Sequence, residues 1–329
     1  MNASMSAQRG PLSDGRWHFQ HGPIDIVIGA HGEPVPVQQA HQAAWQRFET
    51  VLTELVGELP VLRRPIPGAP SGGPLPLAQN YLRGAVAQRM WNACAPYRAG
   101  FITPMAAVAG SVAQELIACY MRPGVERAWV NNGGDIALYL TPGQSLRVGL
   151  FADLADLDVA LTEALSDAYD DPRSNHGPLG AHGIDAIATH AQCEINFDMP
   201  VRGVATSGWR GRSFSLGIAD SVTVLAQTAA MADAAATVIA NAVNVAHAGI
   251  VRRPACDIRD DTDLGAMLVT VDVLRLSSDH VRRALLAGQR EAESLAQRGL
   301  IESAVLVCQG QFAQVGRLDR NIFQYSLSS

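Results

Sequence analysis

The chain has 329 residues, 48% of them hydrophobic and 17% charged, with a net charge of −6. That is apolar material enough for a large core, and no global basic field draws the chain to nucleic acid or to an anionic membrane. Lysine is absent, which excludes a P-loop lysine, Schiff-base chemistry and a lysine general base.

Residues 1–16 are polar, with no apolar signal core and no lipobox cysteine; the expectation is a disordered N-terminal tail. Residues 24–28 alternate like a strand ending at Gly29. Residues 38–59 carry Ala44, Phe48, Val51, Leu52 and Leu55 at helical spacing. Proline and glycine crowd 59–75, which reads as an irregular loop. Helices are expected at 77–95 and 105–121, then strands at 128–131, 136–140 and 146–151. Residues 166–190 form a polar insertion. Further strands are expected at 193–199, 201–205 and 221–225, and a helix from Thr228 to about His247. The tail reads as a strand at 267–276, a helix at 279–298 and a hairpin at 301–315. No internal repeat or clean linker interrupts this order. The prediction is therefore an α+β fold, mixed sheets with packed helices, in one continuous domain over 17–320 followed by a tail at 321–329. Cys94, Cys119, Cys193, Cys256 and Cys308 are scattered, with no Cys-x-x-Cys. That suits buried thiols in a reducing compartment, and no apolar run reaches membrane-spanning length, so a cytoplasmic protein is expected.

Three stretches carry chemistry. Asn131-Asn132-Gly133-Gly134-Asp135 sits between two apolar strands, where paired glycines permit positive φ and close backbone approach to a ligand. An ordinary β-hairpin accounts for the same residues. Thr206-Ser207-Gly208 forms a second turn. In the helix beyond Thr228, Asp233 and Thr237 are spaced i, i+4 and share a face, continued by Asn241 and Asn244. A carboxylate and a hydroxyl one turn apart are hard ligands, suited to Mg²⁺ or Ca²⁺ rather than zinc. The competing view of Asp233 is a solvated acid near a helix N-terminus, although its apolar neighbours argue for burial.

In this order the three stretches resemble the ApbE-like proteins, the FAD:protein FMN transferase superfamily. That pattern is a Gly-Gly-Asp turn, a Thr-Ser-Gly turn, then Ala-Asp-Ala followed by a threonine on a helix. Residues 103–113 look like the segment that precedes the first turn, and 104–110 and 215–224 look like a compact branch of the superfamily. The likeness spans Trp17 to Leu318. It implies that Asp233 and Thr237 hold Mg²⁺ against a pyrophosphate. It also implies that Asn132, Gly133, Gly134, Asp135, Thr206, Ser207 and Gly208 line a site for FAD or FMN. Arg210 beside the second turn, with Arg202 and Arg212, is a further candidate for clamping an anion.

The departures are equally specific. The transferases carry a His-Ile-Ile-Asp-Pro loop and an Ala-Lys-Gly. This chain has only residues 213–220, with no His or Pro, and Ala109-Gly110. Asp220 is the only acid in that shortened loop and so the candidate base, or else a turn-forming Asp before a strand. Two functions follow. One is Mg²⁺-assisted binding of a flavin, nucleotide or other anionic small molecule, as an accessory factor to a partner enzyme. The other is a transferase with a rebuilt catalytic loop. His176, His182 and His190, with Asp185, match no metal-ligand spacing. Gly-x-Ser-x-Gly is absent, which rejects Ser207 as a nucleophile. The alanine-rich helix from Met105 and the C-terminal hairpin are candidate homodimer faces or, equally, parts of the core.

Overall fold

The computed structural model describes residues 6–68, 81–150, 191–316 and 323–325. The insertion expected at 166–190, with its three histidines, lies outside them.

Nine strands form one antiparallel sheet. In spatial order they are β1 (Gln8–Pro11), β2 (Trp17–His21), β3 (Ile24–Gly32), β4 (Val125–Asn132), β5 (Asp135–Leu140), β8 (Gly203–Ser207), β9 (Ser221–Ala226), β12 (Ser303–Cys308) and β13 (Gln311–Gly316). A three-stranded sheet holds β6 (Ser145–Leu150), β7 (Ala191–Asn196) and β14 (Phe323–Tyr325), and β10 (Ile250–Pro254) pairs with β11 (Leu268–Val273). The helices are α1 (Pro34–Leu62), α2 (Ala85–Cys94), α3 (Val108–Ile117), α4 (Ala229–Ala242) and α5 (Ser278–Gln297). The α+β expectation holds. Both stretches expected to be tails contribute strands: within 1–16, Gln8–Pro11 pairs with β2, and within 321–329, Phe323–Tyr325 pairs with β7. The helix expected at 105–121 is divided. Pro104–Ala107 and Ala118–Tyr120 are 3₁₀ turns flanking α3, and Ala107, at φ −129 and ψ 21, breaks the helical run before Val108.

Side chains alternate between the two faces of the large sheet, and the alternation assigns layers. Ala137, Ala205, Val222, Val224, Ala304 and Leu306 join the helices in the main core. Leu138, Leu140, Val204, Leu225 and Val305 face the second core with Cys193 and Ile195 of β7. The arrangement is thus helices, large sheet, small sheet. On α1 the buried residues Ala40, Ala44, Phe48, Val51 and Leu55 repeat at helical spacing. The cysteines depart from expectation at Cys256, which is exposed, whereas Cys94, Cys193 and Cys308 are buried and Cys119 is half-buried. Helix α3 is core rather than a free face, with Gly110, Ser111, Val112, Ala113, Leu116 and Ile117 buried.

Helix α4 sits at the centre, and glycines let backbone reach it on three sides. A Cβ at Gly110 of α3, Gly203 of β8 or Gly217 would overlap backbone of Ala229, Thr228 and Ala240 respectively. Eight of the α4 side chains are buried Ala or Ile. A helix packed this closely leaves its polar face in a defined place.

Candidate functional site

The β4–β5 connection is a two-residue turn, Gly133 at φ 65 and Gly134 at φ 106, with Asn132 opposite Asp135. Two successive positive φ values are what a tight hairpin needs and what only glycine supplies without strain. Asn131 Oδ1 accepts from the Gly134 N–H at 2.8 Å. The hairpin explanation therefore holds for these residues. The turn delivers Asn132 and Asp135 to the helix-side face, in register with Val130 and Ala137 of the main core.

From above that face α4 presents Asp233. Its Oδ2 accepts from the Gly110 N–H at 2.8 Å, and the Ala109 amide also contributes. These are the second and third amides of α3, whose cap position is Ala107 with no side-chain cap of its own. Asp233 thus caps α3 from a neighbouring helix, and the N-terminal dipole favours its negative charge. Buried Asn132 completes the junction by donating Nδ2–H to the Ala109 carbonyl at 3.1 Å. Asp135 Oδ1 accepts from the Thr206 N–H at 3.3 Å.

Burial dominates the electrostatics. It pushes Asp233 up to about 7, against the pull of the Gly110 and Ala109 amides. It also raises Asp135 well above the usual carboxylate range, and the negative charge of Asp233 raises it further. The Thr206 amide and the Arg212 guanidinium act the other way. Two half-buried acids on separate elements thus feel each other directly, so they ionise together only at a cost. Among the described residues no guanidinium is hydrogen-bonded to either. The Thr237 hydroxyl, one turn along α4 and half-buried, also lacks a hydrogen-bond partner among them.

Several expected members separate from this group. The Thr206 hydroxyl points to the other face, where it meets Thr223 Oγ1 at 2.9 Å. By alternation Ser207 faces the helices. Only the backbone of Thr206 reaches the acids. Gly208 is buried, and a Cβ there would overlap the Asp220 carbonyl, so this glycine serves close packing. Asp220 is committed elsewhere. Its Oδ1 accepts from Trp209 Nε1 at 3.2 Å, and its Oδ2 from the Gln309 amide in the β12–β13 turn, where Gln309 adopts φ 45. Arg210 is exposed and stacks on the Trp209 ring at 4.9 Å. Arg202 donates to the carbonyls of Phe197, Met199 and Val201. Arg212 is the arginine that neighbours Gly133 and Asp135, a distinction that loop sequence alone does not make. The α3 amides were also missed as partners of Asp233; the uncapped Ala107 start was the available signal. A surface cleft lined by Gln8, Arg9, His18 and Gln20 lies on the β1–β2 hairpin, three strands from β5.

A family model described as "AbpE bacteria" matches residues 8–314. The chain belongs to that ApbE-like family. The match begins with the first residue of β1 and runs through every element of the candidate site. Similar proteins include a UPF0280 protein of Methanothrix thermoacetophila, 32% identical over 159 residues (48% of this chain and 52% of the relative). Another UPF0280 protein, from Methanopyrus kandleri, is 36% identical over 162 residues, 49% of this chain and 51% of its own. The chain spans about half the length of these curated relatives. A crystal structure of the Pseudomonas stutzeri flavinyl transferase ApbE, in its apo form, aligns over 96% of both chains with a TM-score of 0.40 at 15% identity.

Proposed function

We propose that this ApbE-like protein binds an anionic small molecule, a flavin or other nucleotide, with the help of Mg²⁺ held by Asp233 and Asp135. The observation that carries this reading is the carboxylate pair itself. Two acids are held side by side, half-buried and raised, with no guanidinium hydrogen-bonded to either among the described residues. A protein keeps such a pair where a cation supplies the missing charge. The donor set suits magnesium. Among the described residues no group of three or more His, Cys, Asp or Glu is placed to hold a metal. One or two carboxylates completed by water and ligand phosphate is the usual Mg²⁺ arrangement, whereas zinc wants nitrogen or sulfur. Asp233 Oδ2 accepts from the Gly110 amide of α3, and the Thr237 hydroxyl stands on the same helical face.

When bound, Mg²⁺ supplies charge neutralisation for a phosphate group. The chain's own residues orient: Asn132 fixes α3 to β4, the α3 amides fix Asp233, and the Thr206 amide fixes Asp135. The accessory-binding role stands ahead of a rebuilt transferase, because the candidate base Asp220 spends both oxygens on Trp209 and Gln309. The test is calorimetric titration of metal-stripped protein with Mg²⁺, then with FAD, FMN and ADP, beside Asp233→Asn. Binding that requires Mg²⁺ and disappears in the variant supports the proposal. Equal Mg²⁺ affinity in both proteins overturns it.

A further inference from the structure

Resting on that cation-assisted reading, we propose that Arg212 is the ligand's anion contact, a guanidinium held on the Gly133-Gly134 turn to grip the phosphate that Mg²⁺ neutralises. Three observations place it. Arg212 Nη2 lies in the space a side chain at residue 133 would fill, so the turn serves as the seat of the guanidinium. The neighbouring charge it faces is Asp135, one of the two proposed cation ligands. The side chain is exposed, and it donates no hydrogen bond among the described residues. Arg202 and Arg210, the other arginines near the second turn, are engaged with backbone carbonyls and with the Trp209 ring.

Charge counting gives the ligand class. The ionised acid pair carries two negative charges, Mg²⁺ cancels them, and Arg212 leaves the site with one net positive charge. A neutral ligand gains nothing from that field. A phosphate or diphosphate does, and the planar fork of an arginine matches two of its oxygens. The backbone of Arg212 is held from the other side, where Arg259 Nη2 reaches its carbonyl at 3.5 Å and the Arg259 guanidinium stacks over Phe214 at 5.1 Å.

The role has an unusual signature, because Arg212 repels the cation and attracts the anion. Titrations use Mg²⁺ alone, then inorganic pyrophosphate and ADP in saturating Mg²⁺, on wild type, Arg212→Gln and Arg212→Lys, with melting temperatures recorded for each. Arg212→Gln should bind Mg²⁺ alone as tightly as wild type or up to a few fold tighter. It should bind pyrophosphate and ADP roughly 10–100-fold more weakly, the effect of losing one hydrogen bond between charged groups. Arg212→Lys restores the charge without the fork and should recover part of that loss. Unchanged diphosphate affinity in Arg212→Gln overturns the proposal, as does an equal loss of Mg²⁺ and diphosphate binding, which marks a structural residue. Wild-type protein that binds Mg²⁺ but neither pyrophosphate nor ADP also overturns it and leaves the cation site standing. Wild-type protein that fails to bind Mg²⁺ removes the functional reading itself.

Discussion

Replacing Asp233 with Asn should make the metal-free protein more stable at alkaline pH. Burial lifts the Asp233 carboxyl from 3.8 to about 7. At about 1.36 kcal/mol for each tenfold change in an ionisation constant, that rise corresponds to about 4 kcal/mol of ionisation penalty in the folded state. The sign follows from proton linkage. Between pH 4 and 7 the folded chain holds a proton that the unfolded chain has released, so stability falls as pH rises through that window and stays low above it. Asn keeps an oxygen for the Gly110 N–H but carries no charge. Its amide N–H groups need partners, which takes back roughly 1–2 kcal/mol. The expected net gain at pH 8 is roughly 2–3 kcal/mol, whereas at pH 4, where wild type is protonated and the penalty is gone, the variant should be roughly 1–2 kcal/mol the less stable. Urea unfolding with EDTA present, followed by the fluorescence of the five tryptophans, measures both. Mg²⁺ at about a thousand times its dissociation constant should reverse the ranking at pH 8, since only wild type then gains about 4.1 kcal/mol. If Asp233→Asn is the less stable protein at pH 8 in EDTA, the carboxylate is there to cap α3, and its charge is not a strain awaiting a cation.

Protons compete with the metal, so Mg²⁺ affinity should climb as pH rises through about 7, where Asp233 ionises, by up to about tenfold per pH unit for each carboxylate that must ionise; calorimetry across pH reads the slope. Gly110→Ala places a methyl against the Ala229 carbonyl. It should destabilise by roughly 1–3 kcal/mol and weaken Mg²⁺ binding by shifting the amide that holds Asp233, both visible in melts with and without metal. Asp220→Ala strands the Trp209 indole and the Gln309 amide. It should lower stability by roughly 1–3 kcal/mol while leaving Mg²⁺ affinity at the wild-type value. Gly133→Ala forces φ 65 on a residue with a side chain and displaces Arg212. A loss of about 1–2 kcal/mol, with weaker pyrophosphate binding, is expected.

Which parts of this molecule could be read from its residues follows from the range of the interactions involved. The Gly-Gly turn and the Asp233–Thr237 face were legible, because hairpin geometry and helical spacing are local properties. The long helices were legible for the same reason, although the third is divided at Ala107. The Gln8–Pro11 strand escaped notice because Gln-Arg-Gly-Pro has no alternating pattern; its pairing with Trp17–His21 is what makes it a strand. Thr206 and Ser207 looked equivalent as a motif. Only the strand register, with Thr206 opposite Thr223, turns one hydroxyl away and the other toward the helices. Asp220 and Gln309 are 89 residues apart, a separation at which sequence carries no signal. Likewise Arg210 and Arg212 stand two apart in an irregular segment, where no period says which of them faces the acids.

The seating of α4 among three glycines bears on ion size. Its neighbours touch backbone rather than side chains, so there is little to rotate or repack when something binds between α4 and β5. Asp233 rides on that helix and Asp135 on the first residue of a sheet strand, and neither can follow an ion that is too large or too small. A ligand set carried on such stiff supports sorts cations by radius, in the way a flexible loop of carboxylates does not. Magnesium should therefore be distinguished sharply from calcium at this site, even though both prefer the same oxygen donors.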